Sequence, residues 1–295
     1  MSDHGSRTTD HAPSIAVAFD RPADRDAAGT LATRLGLPLA RKFRDPHDLH
    51  LVWAAADGGG RRLELRVVAD GHPLRGGHGV ASDLLKLDVT SPAGRSLRAP
   101  VLKAAGVRRG VPRPRVMDVT AGLGEDAWLL AAAGCELVAV ERHPVIHALL
   151  ADGLRRAAAE APETAARITL RPPQDAQAAL GEPANPAAGV VLIDPMFPGP
   201  RKTAERKAMA VLRWLAGNDP DADNLLGPAL KRATRRVVVK RPRAAPPLNG
   251  KPPTVTHGGR GLRFDVYAGG DLQTDPEESA TNAADPHESQ GGLGR

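Results

Sequence analysis

A strand-to-helix turn at 116–126, with the sequence VMDVTAGLGED, constrains the fold of this chain more than any other stretch. An apolar strand pattern passes directly into a helical one through Gly122 and Gly124. These glycines lack the side chains that would hold a ligand away from the backbone, and the helix beginning near Glu125 would aim its free amide groups at that space. The turn therefore favours a nucleotide-like cofactor, although a tight turn without any ligand has the same pattern.

The size and composition of the chain set the class of protein. With 295 residues and 41% hydrophobic content, it is long enough for one large domain or two smaller ones. Its apolar runs are far shorter than the roughly 20 residues of a membrane helix, and the N-terminus has no apolar signal segment. A single cysteine, Cys135, excludes an internal disulfide framework and a cysteine-based zinc site. We therefore expect a cytoplasmic protein without a membrane span.

Four histidines in the first third of the chain invite a metal-site interpretation. They are His47, His50, His72 and His78. They lack the paired spacing of a zinc site, so we interpret them as surface loop residues and expect no metal.

Charge is distributed unevenly along the chain. The net charge of +6 includes −1 on residues 1–14 and −5 on residues 271–295, which leaves +12 on residues 15–270. Both terminal segments are polar and nearly free of large apolar side chains, so we predict that 1–14 and the acidic segment 271–295 are disordered tails. The basic excess on the folded part favours a polyanionic partner such as nucleic acid.

Hydrophobic periodicity divides the remainder into two predicted units. A small α/β domain at 15–100 has strands at 15–19, 49–55 and 63–68 and a helix at 26–35. In the second unit, 101–270, the predicted strands are 116–119, 137–140, 168–170, 190–193, 236–239 and 262–267. Helices predicted at 125–133, 145–159, 204–215 and 225–233 alternate with them, which indicates a parallel sheet covered by helices. Ligands bind beyond the carboxyl ends of such strands, where the breaks at 120–126, 141–142, 174–175 and 194–197 fall.

Residues at two of these strand ends suggest the chemistry. Glu141 follows the second strand of this unit, where a carboxylate can accept hydrogen bonds from both hydroxyls of a ribose. The spacing Gly122-x-Gly124-x-x-Ala127 also satisfies the dinucleotide fingerprint, so this half alone leaves an NAD-dependent dehydrogenase open.

The sequence Asp194-Pro195-Met196-Phe197 combines a carboxylate, a proline-stiffened turn and an aromatic ring at the tip of a strand. An exocyclic amine on a flat base requires such a set, because its lone pair is delocalised and it must be oriented for in-line attack on a methyl group. Asp194 and the Pro195 carbonyl would accept its N–H groups, and Phe197 would stack on the base. The alternative is a strand-ending turn without a functional role.

Several motifs in order resemble the RsmJ family of methyltransferases. They are the run at 116–157, IDPMFP at 193–198, RVVVKRP at 236–242, APPL at 245–248 and RFDVYAG at 263–269. The resemblance is close over about 100–269 and looser before that. It implies a Rossmann-like class I fold and methyl transfer from S-adenosyl-L-methionine (SAM) to the 2-amino group of guanosine 1516 in 16S ribosomal RNA, free or in the small ribosomal subunit.

The resemblance also implies roles for individual positions. Cofactor contacts are expected at Asp118, Gly122, Gly124, Glu125, Asp126, Glu141, Arg142, Gln174, Asp175 and Asp194, and catalytic roles at Asp194, Pro195 and Phe197. The family generally has Arg at the position of Glu125 and a Ser-Ser pair at Gln174-Asp175, so this chain departs there.

Basic residues after two of the strands are expected to bind the RNA backbone. They are Arg201, Lys202, Lys240 and Arg241. The sequence leaves two further functions open, namely an amino-methyltransferase acting on DNA and a non-catalytic RNA-binding ribosome assembly factor.

Overall fold

The computed structural model describes residues 12–41, 45–56, 59–91, 93–94, 96–185, 187–196, 207–219, 221–258 and 261–269. Most of the two predicted tails, 1–11 and 271–295, lies outside these residues. Ser14, at the end of the predicted N-terminal tail, donates through its hydroxyl to Asp48 at 2.8 Å. Within the described ranges, no helix has the length and apolar character needed to cross a membrane.

The N-terminal part is an α/β layer. It contains β1 (Ile15–Phe19), α1 (Arg25–Leu35), β2 (Leu39–Arg41), β3 (Leu49–Ala55) and β4 (Arg61–Val67). The strands form a sheet in the order β2-β1-β3-β4, with β4 antiparallel to β3 and the other pairs parallel. The predicted β1, α1, β3 and β4 are confirmed to within two residues. Strand β2 was not predicted, since three residues are too few to show a period.

The second part is an open, mostly parallel sheet covered by helices. Its strands are β5 (Val116–Asp118), β6 (Leu137–Ala139), β7 (Ile168–Leu170), β8 (Ala188–Ile193), β9 (Ala233–Pro242), β10 (Val255–Gly258) and β11 (Leu262–Ala268). Its helices are α2 (Pro100–Ala104), α3 (Glu125–Ala132), α4 (Pro144–Glu160), α5 (Pro162–Ala166), α6 (Ala176–Gly181), α7 (Lys207–Ala216) and α8 (Leu226–Arg232). The predicted α/β arrangement of a sheet covered by helices is confirmed.

Strand order in this sheet is β10-β11-β9-β8-β5-β6-β7. The five strands from β9 to β7 are parallel, whereas β11 is antiparallel to β9 and β10 to β11. The chain leaves β5 toward β6 and β7 and then returns to the opposite side of β5 as β8. A crevice opens at such a reversal of strand order, so the fold places its ligand-binding edge between β5 and β8.

Strand β9 is longer than predicted and β10 was missed. The sequence suggested an end at Val239, but β9 continues to Pro242 because β11 pairs with it up to Leu262. Lys240 and Arg241 therefore lie within a strand, where the prediction had placed them just beyond its end.

The N-terminal sheet and the second part share one apolar core. Leu49, Leu51 and Leu65 from β3 and β4 are buried with Leu149 of α4 and Val211 of α7. Burial of this kind stabilises the docking of the two parts by the hydrophobic effect. The division of the chain at residue 100 stays a prediction.

A hydrogen bond and a ring stack also join the two parts. The Asp152 carboxylate on α4 accepts a hydrogen bond from the Leu63 amide of β4 at 2.9 Å. The His72 ring stacks on Trp214 of α7 with centroids 4.2 Å apart. Helix α7 is therefore held from the N-terminal side of the molecule.

A glycine in α4 tests this packing. A Cβ at Gly153 would lie 2.6 Å from the Ser82 Cβ and 2.7 Å from the Ser82 carbonyl oxygen, whereas one at Gly29 in α1 would meet only Leu39 at 3.9 Å. Alanine normally favours a helix by about 1 kcal/mol over glycine. We expect Gly29→Ala to stabilise the protein. Gly153→Ala should lower the unfolding free energy by about 1–3 kcal/mol, because the added methyl group would overpack the contact with Ser82. Urea denaturation measures both, and stabilisation by Gly153→Ala would contradict the packing of α4 on Ser82.

Candidate active site

Two loops meet where β5 and β8 end. Asp118, the last residue of β5, is in register with Leu192 of β8. The Asp194 amide donates to the Thr120 hydroxyl at 2.6 Å, and the Thr120 amide donates to the Asp118 carboxylate at 3.2 Å. The glycine turn and the Asp194-Pro195-Met196 turn are thus hydrogen-bonded to each other.

The two glycines of the first turn have different roles. Both have a left-handed backbone, with φ of +54° at Gly122 and +83° at Gly124, which glycine adopts without strain. A Cβ at Gly124 would lie 2.5 Å from the Leu150 side chain, so this glycine permits α3 to approach α4. A Cβ at Gly122 would meet only the Thr120 carbonyl oxygen, at 4.0 Å. Gly122 therefore leaves its side of the loop open to a ligand.

Glu141 is a fixed hydrogen-bond acceptor at the end of β6. It is buried, and its two carboxylate oxygens accept from the Gly122 amide at 2.9 Å and the His143 amide at 2.7 Å. Burial raises the pKa of Glu141, although these hydrogen bonds oppose the rise. Since each carboxylate oxygen carries two lone pairs, Glu141 can still accept hydrogen bonds from ligand hydroxyls.

A lysine joins the carboxylates of the site. The Lys240 ammonium on β9 lies 2.7 Å from Asp126 Oδ2 and 3.0 Å from Asp194 Oδ2. Burial acts to lower the pKa of Lys240, but the charges of Asp194 and Asp126 outweigh burial and raise it. The pKa of Asp194 is raised by burial, and the nearby Lys240 opposes that rise.

Asp118 is the most deeply buried carboxylate of this group, with 2% of its surface exposed. Burial, with the nearby charges of Asp126 and Asp194, raises the pKa of Asp118 to about 8. Burial therefore favours the neutral form of Asp118, while Asp126 and Asp194 share the positive charge of Lys240.

A cavity of about 310 Å³ lies over these groups, within the roughly 300–1,000 Å³ of small-molecule sites. The predicted site residues in its lining are Asp118, Gly122, Gly124, Glu125, Asp126, Glu141, Arg142, Asp175, Asp194, Pro195, Lys240 and Arg241. Gln174 precedes Asp175 but does not line the cavity. The predicted residues Phe197, Arg201 and Lys202 lie outside the described residues.

Three of the predicted positions differ in their surroundings from what the sequence suggested. Asp175 caps α6, because its Oδ1 accepts from the Gln177 amide at 2.7 Å. Lys240 is paired with carboxylates inside the cavity, and Arg241 is 4% exposed. Neither basic residue lies on an exposed rim, since β11 extends the sheet beside them.

Thr120 and Asp219 belong to the site but were not singled out from the sequence. Asp219 follows α7 and binds both the Met196 main chain and the Arg142 guanidinium. Thr120 stands within the glycine turn itself, so its place in the motif could have marked it. Asp219 stands in a polar stretch with no period or motif, so the sequence held no signal for it.

A smaller cavity of about 230 Å³ lies between β4 and α7, lined in part by Arg66, Arg75 and Lys207. Arg66 is paired with Glu64 at 2.7 Å and Arg75 with Asp70. Among the described residues, none in the turns that follow β5, β6 or β8 lines this cavity, and its arginines are paired with carboxylates, so we assign the active site to the larger cavity.

Comparison with known proteins supports the same assignment. A family model described as "Putative SAM-dependent methyltransferase" matches residues 63–269. Ribosomal RNA small subunit methyltransferase J of Thioalkalivibrio sulfidiphilus is 40% identical over 269 residues, which cover 87% of this chain and 98% of that protein. The protein of the same name from Hahella chejuensis is 48% identical over 174 residues, 57% of this chain and 63% of that one, so this match spans less than two thirds of the relative.

A solved structure agrees with these relatives. The crystal structure of a SAM-dependent methyltransferase from Neisseria gonorrhoeae superposes with a TM-score of 0.61 and 31% identity, covering 88% of this chain and 98% of that one. The predicted class I fold and SAM as cofactor are confirmed. The chain belongs to the SAM-dependent methyltransferase family that includes ribosomal RNA small subunit methyltransferase J.

Proposed function

We propose that this protein transfers a methyl group from SAM to the exocyclic 2-amino group of a guanosine in small-subunit ribosomal RNA, at position 1516 in the conventional numbering. The hydrogen bond between the Asp194 amide and Thr120 carries the proposal. It joins the glycine turn, which suits a cofactor, to the Asp194-Pro195 turn, which suits an amine on a flat base. The names of the relatives from Thioalkalivibrio and Hahella support ribosomal RNA as the substrate.

The donor set of the cavity fits SAM. Glu141 can accept hydrogen bonds from the ribose hydroxyls, and the open side of Gly122 allows the ligand to approach the backbone. Asp126 and Asp194 against the single charge of Lys240 give the cluster a net negative charge. That charge favours the positive sulfonium and ammonium groups of SAM. When bound, SAM supplies an activated methyl group.

Asp175 is placed to contact the adenine. Its carboxylate lines the cavity at the start of α6, and a carboxylate can accept the adenine amino group. Glu125, the first residue of α3, is exposed at the cavity and offers its backbone amide at the helix N-terminus.

Catalysis in this site depends on orientation more than on a strong base. The lone pair of a guanine amino group is delocalised into the ring, so the amine must be held in line with the methyl group. We assign the Asp194 carboxylate and the Pro195 carbonyl as acceptors of its two N–H groups, with Phe197 stacking on the base. Lys240 favours the charged form of Asp194, and the amine can lose its proton after methyl transfer.

The base has to leave its stack to reach these acceptors. Arg201 and Lys202 follow the Asp194-Pro195-Met196 turn closely in sequence, and we assign them contacts with RNA phosphates. The +12 charge of residues 15–270 supports a polyanionic substrate.

Transfer of labelled methyl groups from SAM to small-subunit RNA lacking this modification tests the proposal. Asp194→Ala should lower kcat by roughly 100-fold, because the amine loses the charged acceptor that orients it. Asp26→Ala, on the exposed face of α1, is the matched control and should keep full activity. Nucleoside analysis of the product should show N2-methylguanosine.

Three results would contradict the proposal. Full activity of Asp194→Ala would remove the role of its carboxylate. Preferred methylation of adenine or cytosine in DNA would favour the DNA enzyme, and undetectable SAM binding by calorimetry would favour the non-catalytic assembly factor.

The pH dependence of kcat tests the role of Lys240. Activity should fall as the pH decreases through the pKa of Asp194, because the protonated carboxyl loses an acceptor. Lys240→Met removes the main group that offsets the burial of Asp194, so the pKa of Asp194 should rise and the acidic limb should move to higher pH. Lys240→Arg, which keeps the charge, should stay close to wild type. An unchanged pH profile with a raised KM for RNA would instead support the phosphate contact first predicted for Lys240.

A further inference from the structure

We propose that Asp219 is a positioning residue for methyl transfer. It holds the peptide unit between Pro195 and Met196 and thereby fixes the direction of the Pro195 carbonyl. The inference rests on the proposed function, because it concerns the turn that would receive the base. No motif marks Asp219, and its contribution arises entirely from tertiary contacts.

Reciprocal hydrogen bonds connect Asp219 with Met196. The Met196 amide donates to Asp219 Oδ2 at 2.6 Å, and the Asp219 amide donates to the Met196 carbonyl at 3.0 Å. One residue therefore engages both main-chain polar groups of Met196. The turn after β8 is held at this point without any regular secondary structure.

Peptide geometry transmits this contact to the proposed acceptor. The Met196 N–H and the Pro195 C=O belong to one planar peptide unit, which is trans and keeps the two groups pointing in opposite directions. When Asp219 fixes the Met196 N–H, it also fixes the direction of the Pro195 carbonyl. On the preceding side, Asp194 is held by the hydrogen bond from its main-chain amide to the Thr120 hydroxyl. The two proposed acceptors are thus anchored from both ends of the turn.

Arg142 holds the carboxylate of Asp219 in place. Its guanidinium pairs with Asp219 Oδ1, while Oδ2 accepts from Met196. Arg142 directly follows Glu141, the proposed ribose acceptor at the end of β6. Asp219 therefore links the cofactor side of the site, beyond β6, with the base side, beyond β8.

The charge of Asp219 also acts on both sides of the site, the cofactor side at Glu141 and the base side at Asp194. Burial raises the pKa values of Glu141 and Asp194, and the charge of Asp219 adds to the rise in each. The side chain of Asp219 is 16% exposed, and its neighbour Arg142 compensates its charge. A partly buried carboxylate whose two oxygens each have a partner is well suited to fix the position of the turn.

Kinetics and amide exchange of three variants test the proposal. Asp219→Ala removes the acceptor, Asp219→Asn keeps a side-chain oxygen for the Met196 amide, and Asp26→Ala is the control. Asp26 is exposed on α1 and does not line the cavity. We expect Asp219→Ala to lower kcat on ribosomal RNA by roughly 10- to 100-fold, since misplacement of reacting groups has effects of this size. The SAM dissociation constant should change by less than about threefold, which corresponds to under 1 kcal/mol.

Asp219→Asn should recover most of the lost kcat, and Asp26→Ala should match wild type. Hydrogen–deuterium exchange of the peptide that contains Met196 should accelerate in Asp219→Ala and not in Asp26→Ala. Unchanged exchange, or unchanged kcat in an active enzyme, would overturn the positioning role. Equal losses in both Asp219 variants together with lost SAM binding would show a general structural role and overturn it too. An inactive wild type would overturn the proposed function instead, and the exchange result would still decide the contact.

Discussion

Parallel pairing of β5 with β6 on one side and β8 on the other places the groups of the candidate site along a single edge of the sheet. Asp118 ends β5, Glu141 lies two residues beyond β6, and Asp194 follows β8 directly. Lys240 comes from β9, one residue past the partner of the last residue of β8. Groups far apart in the chain therefore converge without long loops, and the reversal of strand order at β5 opens the space between them.

Charge gives this edge its chemical character. Two carboxylates share one lysine in a partly buried cavity, where the loss of hydration on burial opposes the attraction within the ion pairs. Perturbed carboxylates are concentrated where proteins bind and react, which fits retention of the cluster for function. The carboxylates of Asp126 and Asp194 exceed the single charge of Lys240, so this cluster is negative. A cationic sulfonium cofactor benefits from that charge, whereas an anionic dinucleotide would be disfavoured.

Local patterns in the sequence were sufficient for the alternation of strands and helices, the glycine turn and the acidic turn after β8, since each depends on neighbouring residues. Contacts made across the fold were not accessible in this way. Asp219 lies in a polar stretch without hydrophobic periodicity, and its partner Met196 is separated from it in the sequence by the whole of α7. In the sequence, Lys240 is only a basic residue near a strand end. Nothing there shows that the carboxylates of Asp126 in α3 and Asp194 after β8 lie beside it in the fold. Strand β10 has four residues, too few to show a clear alternation.

We assign to this edge of the sheet the binding of both SAM and the amine of a guanine base. Mass mapping of methylated guanosine in 16S ribosomal RNA from a strain that lacks the gene tests this assignment most directly. We predict that N2-methylguanosine at position 1516 is absent in that strain. Expression of the wild-type protein should restore it, and expression of Asp194→Ala should not. Persistence of the modification in the deletion strain, or its restoration by Asp194→Ala, would contradict the assignment.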